Sequence, residues 1–169
     1  SGFGMSLASR TGKDAVSVLS LIDQTGEDLY RPLSNLVGGY MRSPEVGAVV
    51  DRCRETGQTV WELMDSEPAG FKYTALKLYG KLLPLREAKE KSSSDTDFAL
   101  AICDYFMHEI WGSATSDKQL QLQALCQALK SLIAASGSYR EAVKTLYGLG
   151  SDIRERVDNL GAPISVATV

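Results

Sequence analysis

Few side chains in this 169-residue chain are of the types that acid–base, nucleophilic or metal chemistry uses. The one histidine, His108, has no cysteine pair or second histidine at zinc-binding spacing, and no serine stands in a Gly-x-Ser-x-Gly turn. The three cysteines, Cys53, Cys103 and Cys126, are odd in number and far apart, which argues against a disulfide framework and a Cys-x-x-Cys metal site. Neither glycine-rich segment is followed by Lys-Ser or Lys-Thr, as a phosphate-binding loop would be. The sequence therefore predicts a protein that is not an enzyme and that holds no metal or cofactor.

His108 does have a charged neighbour at helical spacing. Asp104 precedes it by four residues, which is one turn of a helix, and a carboxylate at that position favours the imidazolium form. Histidine changes its charge between about pH 5 and 8, so Asp104 and His108 form a candidate pH-responsive pair. The alternative is a surface histidine with a local partner, and the sequence favours that simpler interpretation.

Charge is distributed unevenly along the chain, although the net charge is only −3. Residues 71–91 hold six basic and two acidic side chains, whereas residues 1–70 hold six and ten, and residues 92–169 hold six and nine. The basic side chains of the middle segment are Lys72, Lys77, Lys81, Arg86, Lys89 and Lys91. This basic segment is either a solvated helix face or a surface that binds phosphates. No set of aromatic side chains alternates with the lysines, so contact with RNA phosphates or anionic lipid headgroups is favoured over reading of a base sequence.

Start and stop signals for helices follow one another along the whole chain. Ser43-Pro44-Glu45 combines a capping residue with proline at the first helical position, and that helix should end at Gly57. Ser138 and Glu141 form a capping box, and glycine follows several apolar stretches of helical period. Further helices are expected at 14–23, 25–36, 59–64, 71–91, 95–111, 116–136 and 151–161. The sequence thus predicts an all-α fold, a compact bundle of eight to nine short helices, with no strand.

The basic segment should be a helix with one buried side. Its apolar residues at helical spacing form a stripe, and they are Phe71, Ala75, Leu78, Tyr79 and Leu82. Lys77 and Lys81 lie opposite that stripe, so we expect both to face solvent. Pro84 cannot donate a hydrogen bond to the carbonyl of Gly80, which predicts a kink or a break in the helix there.

Composition and helix signals divide the chain into four parts. Residues 1–4, before Met5, read as the remnant of a cleaved expression tag. Residues 5–91 form an N-terminal helical subdomain and residues 92–163, which begin with three serines, form a second subdomain packed on it. Residues 164–169 are expected to be a flexible end or the start of a truncated linker. No apolar run reaches the roughly 18 to 20 residues of a membrane-spanning helix, so any membrane contact should be peripheral.

Part of the chain resembles a known family. Ala75-Leu76-Lys77-Leu78-Tyr79-Gly80-Lys81-Leu82 resembles the basic helix of orthomyxovirus matrix proteins, of the influenza and thogotovirus type. Further along, Trp111-Gly112-Ser113-Ala114-Thr115-Ser116-Asp117 resembles the family's glycine-containing turn into the next helix. Ala124-Leu125-Cys126 and Leu132-Ile133-Ala134-Ala135-Ser136 resemble that helix itself. The resemblance covers residues 72–136 and depends on the order and spacing of these motifs.

The resemblance implies a viral matrix protein without enzyme activity. Such a protein forms homo-oligomers in a layer beneath the envelope of the virion, where it contacts the inner membrane leaflet and the viral ribonucleoprotein. In the infected host it would occur in the cytoplasm, at the inner face of the plasma membrane and in the nucleus. The family's basic helix falls on Lys77 and Lys81, with Arg86 as a further equivalent, whereas Gly80 and Pro84 stand where the influenza type is more basic.

A second hypothesis rests on the helical pattern alone. A cytosolic helical adaptor would bind a partner helix in a groove between its own helices, and it would stay monomeric at high concentration. A helical DNA-binding regulator is disfavoured, because Lys72 is the only candidate for a basic residue near the start of a recognition helix and the rest of the chain is acidic.

Overall fold

The computed structural model describes residues 10–24, 29–37, 44–67 and 73–148. Within these ranges the chain is all-α and contains no strand, as predicted. The helices are α1 (Arg10–Ser17), α2 (Ser20–Asp23), α3 (Tyr30–Leu36), α4 (Pro44–Thr56), α5 (Val60–Ser66), α6 (Tyr73–Lys91), α7 (Asp95–Tyr105), α8 (Ser116–Ser136) and α9 (139–148). A π-helical turn, Phe106–Ile110, and a 3₁₀ turn, Trp111–Ser113, connect α7 to α8. The predictions for residues 1–4, for the helix at 151–161 and for the end at 164–169 lie outside the described residues.

Most helix ends lie where the sequence places them. Pro44 is the first residue of α4, and α4 ends before Gly57, which has the positive φ of +69° that glycine adopts without strain. Thr59 and Glu62 form a complete capping box at the start of α5, in which the Thr59 hydroxyl accepts a hydrogen bond from the Glu62 amide at 3.2 Å. Helix α8 ends at Gly137, with φ of +68°. These signals are local, and each end is stabilised by the residues that predict it.

One expectation about helix continuity is wrong. The helix expected at 14–23 is divided, because the chain makes short i to i−3 turns between α1 and α2, and the Ser20 hydroxyl donates a hydrogen bond to the Ser17 carbonyl at 2.7 Å. Of the kink or break expected at Pro84, the break does not occur, since α6 continues to Lys91, and the kink stays a prediction. Pro84 and Gly80 both lie on the exposed side of α6, so water can reach the carbonyl that Pro84 leaves unbonded.

The core is one cluster of buried side chains drawn from helices of both predicted subdomains. Phe98 and Ile102 of α7 and Phe106 of the π-helical turn are fully buried in it. Trp61 meets Phe98 edge to face with ring centroids 5.9 Å apart. Helix α1 packs against α8, while α6 packs against α3, α4 and α7. The core therefore holds α6 by one side along its length, and the division at residue 91 stays a prediction.

A partly buried ion pair links α1 to α3. Asp14 is only 1% exposed, and its carboxylate binds the guanidinium of Arg31. The Asn35 side-chain amide donates to the backbone carbonyl of Asp14 at 3.3 Å. Removing one partner of such a pair would leave an uncompensated buried charge, so this contact fixes how α3 docks on α1.

Candidate anion-binding face of helix α6

Helix α6 has one buried side, which the sequence largely predicts. Leu78 and Leu82 are 1% and 2% exposed, and Leu85 extends their row beyond Pro84. Tyr79 is half-buried, and its hydroxyl donates to the carbonyl of Met64 at 3.2 Å. The side chains of Phe71 and Ala75, the first members of the expected stripe, lie outside the described part of the structure.

Lys77 and Lys81 face solvent, as predicted. Both side chains are exposed, as is that of Lys91 at the end of the helix. None of the ion pairs within the described ranges involves these three lysines, so their charges are available to an external anion. The Tyr105 hydroxyl of α7 donates to the backbone carbonyl of Lys81 at 3.2 Å, which ties the helix to the core at this point. Lys72 lies outside the described residues.

Arg86 and Lys89 are engaged within the protein instead. The Arg86 guanidinium pairs with Asp65 of α5 and with Glu90, from which its Nε lies 3.1 Å away. These carboxylates, Asp65 first, raise the pKa of Arg86. The Lys89 Nζ lies 5.2 Å from the ring centroid of Trp61, within range of a cation–π interaction. The structure therefore separates Lys77, Lys81 and Lys91 from two cations that contact α5, namely Arg86, which is partly buried, and Lys89, which is exposed but lies over Trp61.

The exposed side of α6 also carries leucines. Leu76 is 44% exposed and Leu83 is 39% exposed, and they stand seven residues apart on the same side of the helix as Gly80 and Pro84. Neither leucine is among the site residues predicted from the sequence. Their spacing of two helical turns, opposite to the Leu78 and Leu82 row, is the signal that could have found them.

Asp104 and His108 are not brought together as a pair. The Asp104 carboxylate binds Lys130 of α8, and no ion pair within the described residues joins it to His108. The π-helical turn begins at Phe106, between the two residues, so the spacing of one α-helical turn is not kept. His108 is exposed. Its pH response stays a prediction.

Cys103 and Cys126 lie against each other between α7 and α8. The Cys126 thiol donates to the carbonyl of Cys103 at 3.1 Å, and both residues are buried. The hydrogen bond to Cys126, together with burial, raises the pKa of the Cys103 thiol. Burial raises that of Cys53 as well. All three cysteines are free thiols in the structure, and their distance along the chain did not indicate the Cys103–Cys126 contact.

A cleft of about 290 Å³, lined by both polar and apolar side chains, lies between the ends of α2 and α4 and the start of α5. Gln24, Arg54 and Thr59 are among its lining residues. The binding of a partner helix in a groove stays a prediction.

No helix among the described residues is both long enough and apolar enough to cross a membrane. No group of three or more His, Cys, Asp or Glu side chains there could hold a metal ion. The exposed side of α6 is consequently the feature on which a function can be argued.

No protein-family model, no curated protein and no solved structure matches this chain.

Proposed function

We propose that the chain is a viral matrix protein domain of the orthomyxovirus type, which self-associates into a layer under the envelope. In this proposal the layer bridges the inner membrane leaflet and the ribonucleoprotein, and its sites of action are the virion, the host cytoplasm, the inner face of the plasma membrane and the nucleus. The observation that supports it is the exposure of Lys77 and Lys81, without ion-pair partners among the described residues, on a helix of an otherwise acidic chain.

The free energy that the exposed lysines contribute to membrane binding favours a layer of many copies over a single copy. A lysine close to an anionic membrane contributes about 1 kcal/mol, so Lys77, Lys81 and Lys91 together contribute only about 3 kcal/mol. A contact of that strength is weak for one molecule. Several linked copies bind a surface far more tightly than one, because each further contact is made at high effective concentration. Surface binding and self-association are therefore expected to depend on each other.

Flotation with lipid vesicles tests the surface contact. The full chain should float with vesicles of phosphatidylcholine that contain phosphatidylserine, and should not float with phosphatidylcholine alone. The double variant Lys77→Glu/Lys81→Glu should lose this binding. Lys13→Glu/Lys144→Glu is a matched control, since it makes the same charge change at two exposed lysines outside α6. Binding that ignores phosphatidylserine, or equal loss in both variants, would contradict the proposal.

Light scattering tests the assembly. The mass of the chain should rise with concentration and should respond to salt, because charged surfaces contribute to the contact between copies. A chain that stays monomeric at every concentration, pH and salt would argue against the layer. That result, together with tight binding of a single peptide, would instead favour the helical adaptor.

A further inference from the structure

The exposed leucines give the α6 face a second chemical character besides positive charge. Leu76 and Leu83 are 44% and 39% exposed and lie about 10 Å apart along the helix axis, with Gly80 between them. A Cβ atom placed on Gly80 would meet nothing within 4 Å, so no neighbouring element in the described part of the chain covers this stretch. We call the exposed side chains of Leu76 and Leu83, with Gly80 and Pro84, the leucine ridge.

The leucine ridge is not needed for the packing of α6. The opposite row, Leu78, Leu82 and Leu85, already fills the contact with the core and is almost fully buried. Lys77 follows Leu76 in the sequence, and Lys81 follows Gly80. Both lysines therefore lie along one flank of the ridge. Long lysine side chains at such positions can lie along an apolar surface while their ammonium groups reach toward charge.

We infer that the leucine ridge enters the boundary between headgroups and acyl chains of an anionic bilayer, while Lys77 and Lys81 bind lipid phosphates. The inference rests on the proposed function and names the bilayer as the partner of α6. An interfacial helix combines apolar side chains directed into the lipid with lysines that attract anionic headgroups, which is the combination present on this face.

Two other occupants fit the ridge less well. An RNA phosphate backbone would be attracted by the lysines but would gain nothing from exposed leucines. A second copy of the chain would need about 800 Å² of contact on each partner, whereas a ridge about 10 Å long and 10 Å wide offers roughly 100 Å². Glu87, exposed one turn beyond Leu83, limits the membrane contact to the N-terminal part of the face.

The inference predicts a specific loss on removing the leucines. Leu76→Ser/Leu83→Ser should lower the partition of the full chain onto phosphatidylserine-containing vesicles about tenfold, because less apolar surface enters the lipid. Leu120→Ser is the control, since Leu120 is 66% exposed but belongs to α8. It should bind as the unaltered chain does. Circular dichroism and thermal unfolding should show that all variants stay folded, since none of the replaced side chains belongs to the buried core.

Depth of insertion provides a readout that surface charge alone would not produce. In Leu76→Trp the new indole should be quenched by lipids brominated on the acyl chains, whereas Leu120→Trp should not be. The native Trp61 and Trp111 are buried and give a constant background. The same proteins are titrated with fluorescent polyuridine to measure RNA binding.

The outcomes separate the two proposals. If the unaltered chain does not bind anionic vesicles, both the proposed surface contact and this inference are wrong. If it binds, but the serine variant binds equally and the new indole is not quenched, the inference alone is overturned and a purely electrostatic contact remains. If polyuridine binds tightly and displaces the vesicles without any effect of the leucines, RNA is the partner of this face.

Discussion

Two of the three thiols show how the fold changes the chemistry of a residue. Cys103 and Cys126 are 23 positions apart, yet the Cys126 thiol donates to the backbone of Cys103 inside the α7–α8 contact. The pKa of Cys103 is raised by this neighbour and by burial, and that of Cys53 is raised by burial. At mildly alkaline pH these two thiols should therefore stay protonated, and the thiol is far less nucleophilic than the thiolate.

Thiol labelling tests this expectation. In the folded chain, Cys53, Cys103 and Cys126 should react with Ellman's reagent at least about 10³ times more slowly than in urea, because reaction requires opening of the core. Leu83→Cys provides the control, since a thiol at that exposed position should react at once. Rapid labelling of any native cysteine, located by mass spectrometry, would show that its segment is not packed as described.

For the basic residues, exposure to solvent could be predicted from the sequence, whereas contacts with another helix could not. The exposure of Lys77 and Lys81 follows from the helical period of the apolar stripe, which is a local property of the sequence, and the structure confirms it. The roles of Arg86 and Lys89 depend on α5, which brings Asp65 and Trp61 against them. Contacts between helices are not encoded in the spacing within one helix, so the sequence assigned all four side chains to one patch.

At the scale of elements, glycine has opposite effects at two positions. Gly137 ends α8 with a φ of +68°, where an alanine would be strained although no neighbour would touch its Cβ atom. Gly80 lies inside α6 with open space around it, and glycine in a helix interior costs backbone entropy. The two positions therefore form a matched pair for the same substitution.

The expected changes in stability differ in sign. Gly137→Ala should lower the free energy of unfolding by about 1 kcal/mol, and Gly80→Ala should raise it by about 0.5–1 kcal/mol. Urea denaturation of both variants beside the unaltered chain measures the difference. A loss of stability in Gly80→Ala would mean that its surroundings are closer than the structure shows, or that Pro84 tolerates only glycine one turn earlier.

Helix ends were predictable, whereas changes of helix type were not. The caps at Thr59 and Gly137 depend on side chains or backbone freedom within a few residues. The π-helical turn at Phe106–Ile110 and the interruption between α1 and α2 have no such signal, since both segments keep a helical apolar period. The π turn lies between Asp104 and His108, which form no ion pair among the described residues.

At the scale of the whole molecule, contacts between distant segments connect α9 to the N-terminal helices. Tyr139 is 4% exposed, and its hydroxyl donates to the carboxylate of Asp23, at the end of α2. Arg140 places its Nη2 2.6 Å from the same carboxylate and donates from Nε to the Tyr139 oxygen at 3.1 Å. Together with the packing of α1 on α8, this cluster joins residues 116 positions apart.

This cluster should make the fold sensitive to alkaline pH. Burial, followed by the hydrogen bond to Asp23, raises the pKa of Tyr139 above its ordinary value. Above about pH 10 the unfolded chain loses this proton before the folded chain does, so stability due to Tyr139 is present at neutral pH and is lost as pH rises. Tyr139→Phe should cost about 1 kcal/mol at neutral pH, through the lost hydrogen bond, and should remove this part of the alkaline loss.

Urea titrations at about pH 7 and about pH 10.5 check the sign, since they lie on either side of the ordinary tyrosine pKa. The stability difference between the unaltered chain and Tyr139→Phe should shrink or reverse at the higher pH. Tyr147→Phe is the matched control, because Tyr147 is in the same helical segment but is 52% exposed, and its effect should be small at both pH values. A constant difference for Tyr139→Phe would mean that the Tyr139 hydroxyl has the same pKa in the folded and the unfolded chain, and that burial and the contact with Asp23 do not raise it.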